Sequence, residues 1–568
     1  LAYEYDDAGR VVEVANNYNE TMTLAYNSAG QVIEREFLNS SGGLEASLSF
    51  VYDSIDRLRQ TVGAASQTET LAYDRTDNVT SIDDPRGQTW SRAFDSLNRL
   101  STETDPETHD VAYGYDGQDA LTSFADGRNL QTNFVRDGFG DIIQEVSPDR
   151  GATTYWRDAA GNVVEIVDAE AVEVNFAYDD ASRMTSKTFP ADSSQNQTFT
   201  YDDVSGGNFG KGRVTSSSDA FGQRIFVYDA FGQLIGETRT INSHTYQTSY
   251  EYTPNGGVAL VAYPSGRQVR YVRDLQDRVT AVDSRASGAG AWADIASNVE
   301  WLPFGPLAGL EYGNGLELAL AYDQNYWLTD IEVTGAGGGP TLDLTFSRDA
   351  AGAVDGVSDA VNASRSATFT YTDSGRLASE TRGANATSWA YDASGNRTRE
   401  TRDISGVVTY DDYVYPGGSN RLSEIRDQLA STLRTFSYRD NGQMEGDDRG
   451  GGGDFTFSYD VNGRLEEARL NGSLLANYGY DAAGRRITRT VTGSPGVTRA
   501  YIYLPDGRLM AEADGSGAIV REYIWLDDLP LAATDISGGG TSLYFIHASH
   551  RGEPVAMTNS AKTKVWDA

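Results

Sequence analysis

The chain has 568 residues, no cysteine and a formal net charge of −36. The lack of cysteine excludes disulfides, thiol catalysis and thiolate metal sites. The acidic charge argues against binding to nucleic acid or anionic lipid, which require surfaces rich in Lys and Arg. Without a stretch of ~18 uninterrupted apolar residues, the sequence predicts no membrane span. The length exceeds the roughly 250–300 residues of one compact core, a limit that repeat arrays escape.

A 21-residue repeat organises the chain. Two copies begin at Asp6 and Asn27, and a five-residue excess, interpreted as a longer surface loop, precedes a regular array. A fixed period in this range is the signature of a repeat architecture. The aspartates that begin the regular copies are Asp53, Asp74, Asp95, Asp116, Asp137, Asp158 and Asp179.

Each copy contains a turn that its residues explain. In residues 459–465, Asp460 suits the start of a type I turn and Gly463 suits the positive φ that closes it with a bulge. This register places Asp460 opposite Arg464 on one face and Tyr459 opposite Leu465 on the other. A second turn in each repeat leaves two strands of about seven residues, which must pair antiparallel because no helical segment separates them.

The repeat is less regular in later parts of the chain, and these changes suggest four regions. Residues 1–284 and 346–520 carry the repeats, and residues 521–568 form a distinct final segment. Residues 285–345 are the least regular, with glycine-rich loops near 287–290 and 335–340. The chain opens inside a repeat and stops abruptly, so both ends are expected to be those of a piece of something longer.

Three motifs carry a resemblance to the RHS family. The YDxxGRL hairpins resemble its YD repeats, and the pattern LPFGPLxxLxYGNGL at residues 302–316 is also similar to that family. Residues 521–568 resemble the opening of the RHS-repeat-associated core, although Ser549 and Arg551 stand where the family has Asp and Leu. The repeats cover nearly the whole chain, so the chain is identified as resembling a bacterial RHS polymorphic-toxin shell.

The resemblance implies an all-β fold in which a long antiparallel YD-repeat sheet spirals into a hollow shell of the β-cocoon type. About 27 repeats of two strands would make a ribbon on the order of 250 Å long, which must twist and coil. In the toxins that the chain resembles, the shell encloses a C-terminal toxin released by self-cleavage. The cleavage motif and the toxin lie downstream of the segment present here.

Several residue groups are of types that can carry chemistry. His547 and His550 have a spacing that can ligate zinc on a helix, but their surroundings indicate strand and turn. The carboxylate pairs Asp6-Asp7, Asp83-Asp84 and Asp527-Asp528 are explained more simply as turn residues than as a glycosidase pair. Calcium binding in Asp-rich turns and sugar stacking on exposed aromatic residues stay open as minor alternatives, without a matching calcium motif.

The sequence therefore predicts a non-enzymatic shell without catalytic, cofactor-binding or metal residues. The predicted function is encapsulation and delivery of a C-terminal effector of the same polypeptide, with secretion-system or cell-surface partners. Adhesion or a structural role in a cell-surface ectodomain is the alternative, and carbohydrate binding is a less favoured one. The predicted location is secreted or on the bacterial surface. We also expect a concave, water-accessible wall that carries many polar side chains, because a dry core would penalise each unpaired one.

Overall fold

The computed structural model describes the whole chain except residues 287, 289, 336, 337, 494, 495, 538 and 539. The two predicted glycine-rich loops fall partly on residues outside this description. The described helical residues are four short 3-10 turns, Ser193–Gln195, Ser205–Gly207, Ala363–Arg365 and Gly450–Gly452. The strands are β1 (Ala2–Tyr5), β2 (Val11–Ala15), β3 (Thr21–Tyr26), β4 (Val32–Leu38), β5 (Leu44–Tyr52), β6 (Leu58–Gly63), β7 (Thr68–Tyr73), β8 (Val79–Asp83), β9 (Thr89–Phe94), β10 (Leu100–Thr104), β11 (Asp110–Tyr115), β12 (Leu121–Ala125), β13 (Gln131–Arg136), β14 (Ile142–Ser147), β15 (Gly151–Arg157), β16 (Val163–Val167), β17 (Glu173–Tyr178), β18 (Met184–Thr188), β19 (Gln197–Tyr201), β20 (Val214–Asp219), β21 (Gly222–Tyr228), β22 (Leu234–Ile241), β23 (His244–Tyr252), β24 (Val258–Ala262), β25 (Gln268–Arg273), β26 (Val279–Arg285), β27 (Ala293–Trp301), β28 (Leu307–Tyr312), β29 (Leu316–Tyr322), β30 (Leu328–Gly335), β31 (Leu342–Arg348), β32 (Val354–Asp359), β33 (Ala367–Tyr371), β34 (Leu377–Arg382), β35 (Asn385–Tyr391), β36 (Arg397–Ile404), β37 (Val407–Val414), β38 (Glu424–Asp427), β39 (Thr432–Tyr438), β40 (Met444–Asp448), β41 (Asp454–Tyr459), β42 (Leu465–Leu470), β43 (Ser473–Tyr480), β44 (Arg486–Val491), β45 (Val497–Tyr503), β46 (Leu509–Asp514), β47 (Ile519–Leu526), β48 (Leu529–Ser537), β49 (Gly540–Ala548), β50 (Pro554–Asn559) and β51 (Lys564–Asp567).

These strands form one sheet of 51 strands within the described part of the chain. Each strand pairs antiparallel with the next, as β41 does with β42 and β43 with β44. The predicted register is confirmed, because Tyr459 lies opposite Leu465 and the ladder shifts by one residue beside it. Tyr480 lies opposite Arg486 in the same way. The all-β antiparallel fold inferred from the repeat is therefore confirmed.

The ribbon winds on itself, and contacts between distant residues give the length of one coil. Asn16 donates to Gln276, 260 residues later, and Asn420 donates to Asp126, 294 residues earlier. One coil therefore takes about half of the chain. Towards the C-terminus the coil narrows, since the separation falls to 255 for Arg267–Glu522, 244 for Asn314–Thr558 and 202 for Arg365–Asp567.

Most of this ribbon is a thin wall. The accessible surface is 27797 Å², whereas a compact monomer of this length would expose roughly 20,000 Å². Within residues 1–220 the buried hydrophobic side chains are few: Val14, Ala46 and Phe189. The large surface and the sparse core together match a hollow shell of a single sheet.

The narrowing end is different, because two coils pack into a hydrophobic core there. Residues 241–346 of the first layer contact residues 487–555 of the second, and we call this region the terminal double layer. The segment that is least regular in sequence, 285–345, and the distinct final segment, 521–568, both contribute to it. The expected water-accessible wall therefore does not extend to this end, where Leu342, Met510 and Ile524 are fully buried.

The fold predicts a far-ultraviolet circular dichroism spectrum of β-structure with almost no helix. The described helical residues are single 3-10 turns of three residues each. A measured helix content above about one-fifth, against a globular average of about one-third, would contradict the fold.

Among the described residues, no helix has the length and apolar character needed to cross a membrane.

Candidate functional site

The aspartate side chain of the YD turn stabilises that turn through hydrogen bonds, as Asp460 shows. Asp460 Oδ1 accepts the backbone N–H groups of Asn462 and Arg464, both at 2.9 Å. Its Oδ2 accepts a hydrogen bond from Arg464 Nε at 2.8 Å, and the Gly463 N–H closes the turn onto the Asp460 carbonyl at 2.8 Å. The predicted facing of Asp460 and Arg464 is confirmed. Because both carboxylate oxygens have partners, this group is not free to act as an acid or base.

The turn arginines and the tyrosines also link each repeat to the next. Arg464 Nη1 donates to the carbonyl of Asp481 at 3.0 Å, and its guanidinium lies 4.9 Å from the ring centre of Tyr480. The Tyr480 hydroxyl donates to the carbonyl of Leu465 at 2.9 Å. The expected separation of Asp–Arg and Tyr–aliphatic pairs onto opposite faces therefore does not hold between neighbouring repeats.

The tyrosine hydroxyl bond is a feature that the sequence interpretation missed. It recurs with a spacing of 15 residues, and at Arg136 and Arg273 a guanidinium replaces the phenol by donating to Leu121 and Val258. The sequence does carry a signal for this bond: these positions prefer Tyr over Phe, and where Tyr is absent they can carry Arg, which is also a hydrogen-bond donor. The tyrosines with this spacing are Tyr26, Tyr73, Tyr115, Tyr178, Tyr322, Tyr459 and Tyr480.

Contacts between successive coils form a seam, which joins the second turns of one coil to the YD turns of the next. Asn420 Nδ2 donates to Asp126 Oδ2 at 2.7 Å, and Arg128 Nη1 donates to the Ser419 carbonyl at 2.7 Å. Ser419 Oγ also donates to Asp149 at 2.6 Å. The seam therefore consists largely of side chains bonded to turn backbone and turn aspartates.

One seam contact contains a group of residues with ligand atoms for a metal. Asp105, Glu107 and His109 have carboxylate or ring atoms within 4.8 Å of one another. Ser374 Oγ donates to Asp105 at 2.9 Å, the Ser374 N–H donates to Glu107 at 3.2 Å, and Arg376 lies 3.4 Å from Glu107. Because an arginine and a serine already engage these carboxylates, the arrangement is that of an ion pair across the seam.

The YGNGL motif attaches the first layer of the terminal double layer to the second. The Tyr312 hydroxyl donates to the Ile546 carbonyl at 3.1 Å. Asn314 Nδ2 donates to Thr558 Oγ1 at 3.1 Å and to the Asn559 carbonyl at 3.0 Å. A Cβ on Gly313 would lie 1.8 Å from a backbone oxygen, so this position requires glycine. The tyrosine and the asparagine of the motif therefore bond to the second layer, and its glycine lies against the backbone of the neighbouring strand β27.

The two histidines considered as metal ligands have separate structural surroundings. His547 is fully buried, its Nε2 lies 2.9 Å from Thr558 Oγ1, and its ring packs edge-on against Tyr312 at 4.9 Å. His550 packs edge-on against Phe346 at 4.8 Å. Each ring contacts an aromatic residue of the first layer, which gives both residues a packing role.

The carboxylate pairs also serve turns. Asp6 bonds to Arg10 of its own turn, and Asp84 Oδ1 accepts the Arg86 N–H at 2.8 Å. Asp83 accepts a hydrogen bond from Thr89 Oγ1 at 2.6 Å across the ladder. Asp7, Asp527 and Asp528 are exposed. These surroundings favour the turn interpretation of all three pairs.

Burial of His547 predicts a pH dependence of stability. Desolvation lowers the pKa of His547 from 6.5 to about 4. The unfolded chain then binds a proton that the folded chain does not, so stability falls as the pH falls from 6.5 towards 4. A His547→Gln variant should show a flatter profile of melting temperature in this window, with the His244→Gln variant as a control. If the pH profile of the melting temperature is the same in His547→Gln as in the unmodified protein, the low pKa of His547 is contradicted.

Comparison with known proteins places this arrangement in a family. The Teneurin YD-shell family model matches residues 6–206 and 311–561, which are most of the chain. The crystal structure of TcdB2-TccC3-TEV has 15% identity and a TM-score of 0.82, and the match covers 100% of this chain and 34% of that one. The Tc holotoxin pore of Photorhabdus luminescens, carrying a TccC3 mutation, has 14% identity, a TM-score of 0.80 and coverage of 100% and 33%.

The chain thus spans about a third of the length of these structures, and at such identity the likeness concerns the fold. No curated protein matches the chain in sequence. The repeat geometry, the coiled sheet and the family match agree on a structural shell. The chain belongs to the Teneurin YD-shell family.

Proposed function

We propose that the chain is a non-enzymatic wall that encloses a C-terminal toxin or effector of the same polypeptide and helps to deliver it. The single observation that carries this proposal is the thin wall outside the terminal double layer. Residues 350–480 repeat the pattern of residues 1–220, with Ala367, Ile425 and Ala476 as their buried hydrophobic residues. A sheet of this length without a filled core leaves room for a guest.

The chemistry of the wall suits a wet interior. Along β9 and β39 one set of alternating residues is exposed, and the other is half-buried but not closed off. The half-buried set includes Arg92, which pairs with Glu103 at 3.0 Å, and Arg434, which pairs with Asp447 at 2.6 Å. Ion pairs in the middle of strands are compatible with a water-accessible wall and costly in a dry core.

The similar structures include toxin complexes, and this likeness supports the same proposal. One of them is TcdB2-TccC3 without its hypervariable C-terminal region. For the present chain we propose a location outside the cytoplasm, secreted or on the bacterial surface, and contacts with secretion-system or cell-surface partners. We assign no catalytic, cofactor or metal role to the wall, because the turn carboxylates already hold backbone N–H groups and arginines.

The C-terminal end of the wall offers a defined point for testing encapsulation. Arg365 Nη2 donates to the Ala568 carbonyl at 2.9 Å and to Asp567 at 2.6 Å, which anchors this end to the turn before β33. A protease-sensitive reporter of small-domain size, joined after Ala568 by a flexible linker, should enter the shell. The same reporter joined before Leu1 is the matched control.

Limited proteolysis measures the outcome. We expect the reporter after Ala568 to survive much longer than the reporter before Leu1 in the folded protein, and to be cut at the same rate once both are denatured. Equal cleavage of the two reporters in the folded proteins contradicts encapsulation and favours the adhesion or structural role. Cryo-electron microscopy of the same fusion would locate the guest density.

A further inference from the structure

A cavity of about 430 Å³ lies on the seam between the first and second coils, and the shell function does not account for it. Strands β4, β5 and β6 of the first coil supply one wall. The other wall is residues 324–327 of a YD turn in the second coil, with Pro85 and Ala350 at the margin. A volume of this size is within the range of small-molecule sites.

Aromatic side chains give the cavity a flat apolar lining. Phe37 stacks on Tyr326 with ring centres 5.9 Å apart and a 25° interplanar angle. Phe304 also packs against Phe37, with ring centres 6.0 Å apart. Trp327 lines the cavity beside them and is half-buried. A planar ring of a ligand therefore meets a stacking surface here.

Backbone contacts across the seam hold this lining in place. The Ser47 N–H donates to the Gln324 carbonyl at 3.1 Å, and Asn325 Oδ1 accepts the Ala64 N–H at 2.9 Å. The Tyr326 hydroxyl donates to the Pro303 carbonyl at 2.7 Å. The walls are thus fixed before any ligand arrives, which reduces the entropic cost of binding.

Arg35 is the cationic side chain on the cavity lining. Its guanidinium lies 5.5 Å from the ring centre of Phe37, and its Nε is buried without a hydrogen-bond partner. Arg35 lies inside strand β4 opposite Leu24 and Leu48, and within the described part of the chain no carboxylate lies in ion-pair distance of it. Glu69, on the same lining, is exposed and forms no ion pair with it. A buried donor without a partner is unusual in proteins.

We propose that this cavity binds a small carboxylate carried on a ring, either an acidic sugar or an aromatic acid. Arg35 would hold the carboxylate, since a guanidinium fork matches its two oxygens. Phe37 and Trp327 would stack on the ring, and the side chains of Gln67 and Gln324 would contact ring substituents. The inference does not depend on encapsulation, because the site lies in the seam.

The test compares ligands that share one part of this chemistry. D-glucuronate and D-glucose differ in the carboxylate, and benzoate and acetate differ in the ring. Isothermal titration calorimetry and ligand-observed saturation-transfer NMR on the full chain should detect glucuronate or benzoate at a roughly millimolar Kd, as expected for ligands of this size. Whichever acid binds more tightly identifies the source of the carboxylate.

Variants then connect binding to the cavity. Arg35→Gln should lower the affinity for the acid by about 10- to 100-fold, which is the usual effect of losing a charged hydrogen bond. Arg489→Gln is the matched control, because Arg489 is also half-buried with an unpartnered Nε but does not line this cavity. Trp327→Phe keeps a stacking ring and should change the affinity less than Arg35→Gln does.

The outcomes are decisive in either direction. The site is supported if the protein binds an acid but not its matched control ligand. This binding must be lost in Arg35→Gln and kept in Arg489→Gln. The proposal is overturned if the unmodified protein binds neither acid. It is also overturned if glucose and glucuronate bind equally well and benzoate binds weakly. An unchanged affinity in a folded Arg35→Gln protein overturns it as well. If Arg35→Gln does not fold, Trp327→Ala takes its place: it removes the stacking ring, so loss of acid binding supports the site and an unchanged affinity overturns it.

Discussion

Replacement of Tyr312 with alanine is expected to destabilise the terminal double layer by about 3–5 kcal/mol, the usual cost of deleting a buried aromatic side chain. The side chain is 1% exposed and packs against Phe545 and His547 with ring centres 6.0 and 4.9 Å away. Its hydroxyl also holds the Ile546 carbonyl across the two layers. The change therefore removes both the packing and a hydrogen bond at one point.

Two further variants separate these contributions. Tyr312→Phe keeps the ring and loses the hydroxyl, so it should cost about 1 kcal/mol. Tyr3→Ala is the surface control, because Tyr3 is 52% exposed. Urea unfolding gives the global effect, and hydrogen exchange of β49 and β50 reports whether the second layer opens first. Equal exchange in Tyr312→Ala and in the unmodified protein would show that this contact does not hold the layers together.

The local part of the fold follows from the sequence because its causes are local. Asp460 and Gly463 determine the turn, the turn determines the bulge, and the bulge places Tyr459 opposite Leu465. Each of these steps lies within seven residues. The same reasoning predicts an antiparallel sheet over the whole array, and the structure confirms it.

The contacts across the seam could not be predicted from the sequence, for a physical reason. Which turn of the second coil meets Asp126 depends on the curvature accumulated over the intervening strands, and each strand adds only a small twist. The partner proves to be Asn420, 294 residues away. The cluster around Asp105 and the cavity beside Arg35 both lie on this seam, so neither was visible in the spacing of the motifs.

The terminal double layer can be predicted from the sequence only in part. The sequence marks 285–345 as irregular and 521–568 as a distinct final segment but does not say that they meet. The sequence gives Gly313 only as part of a family motif, and the structure shows that it lies against the backbone of Asp294 on strand β27. The interpretation of His547 changes from a possible ligand to a buried neutral ring whose low pKa follows from desolvation.

A buried ion pair gives the second large effect expected at this end. Arg267 Nε lies 2.7 Å from Glu522 Oε2, with side-chain exposures of 9% and 0%. Ser265 Oγ donates to Glu522 Oε1, and Arg267 Nη1 donates to Ser284 Oγ at 2.9 Å. The pair joins the first layer to the second across the core. Replacement of the arginine alone leaves a carboxylate in the core without its counter-charge.

Arg267→Met is therefore expected to lower the free energy of unfolding by about 3–5 kcal/mol, the usual cost of breaking one half of a buried pair. The double variant Arg267→Met/Glu522→Leu should recover most of that loss, because an apolar pair of similar volume leaves no charge to desolvate. The single variant Glu522→Leu completes a double-mutant cycle, in which the ΔΔG of the double variant minus the sum of the two single values measures the coupling. Arg551→Met, which breaks the exposed pair with Glu553, is the control and should change little, since solvent screens it. If the double variant is as unstable as the sum of the single ones, the two side chains act independently, and the pair does not join the layers.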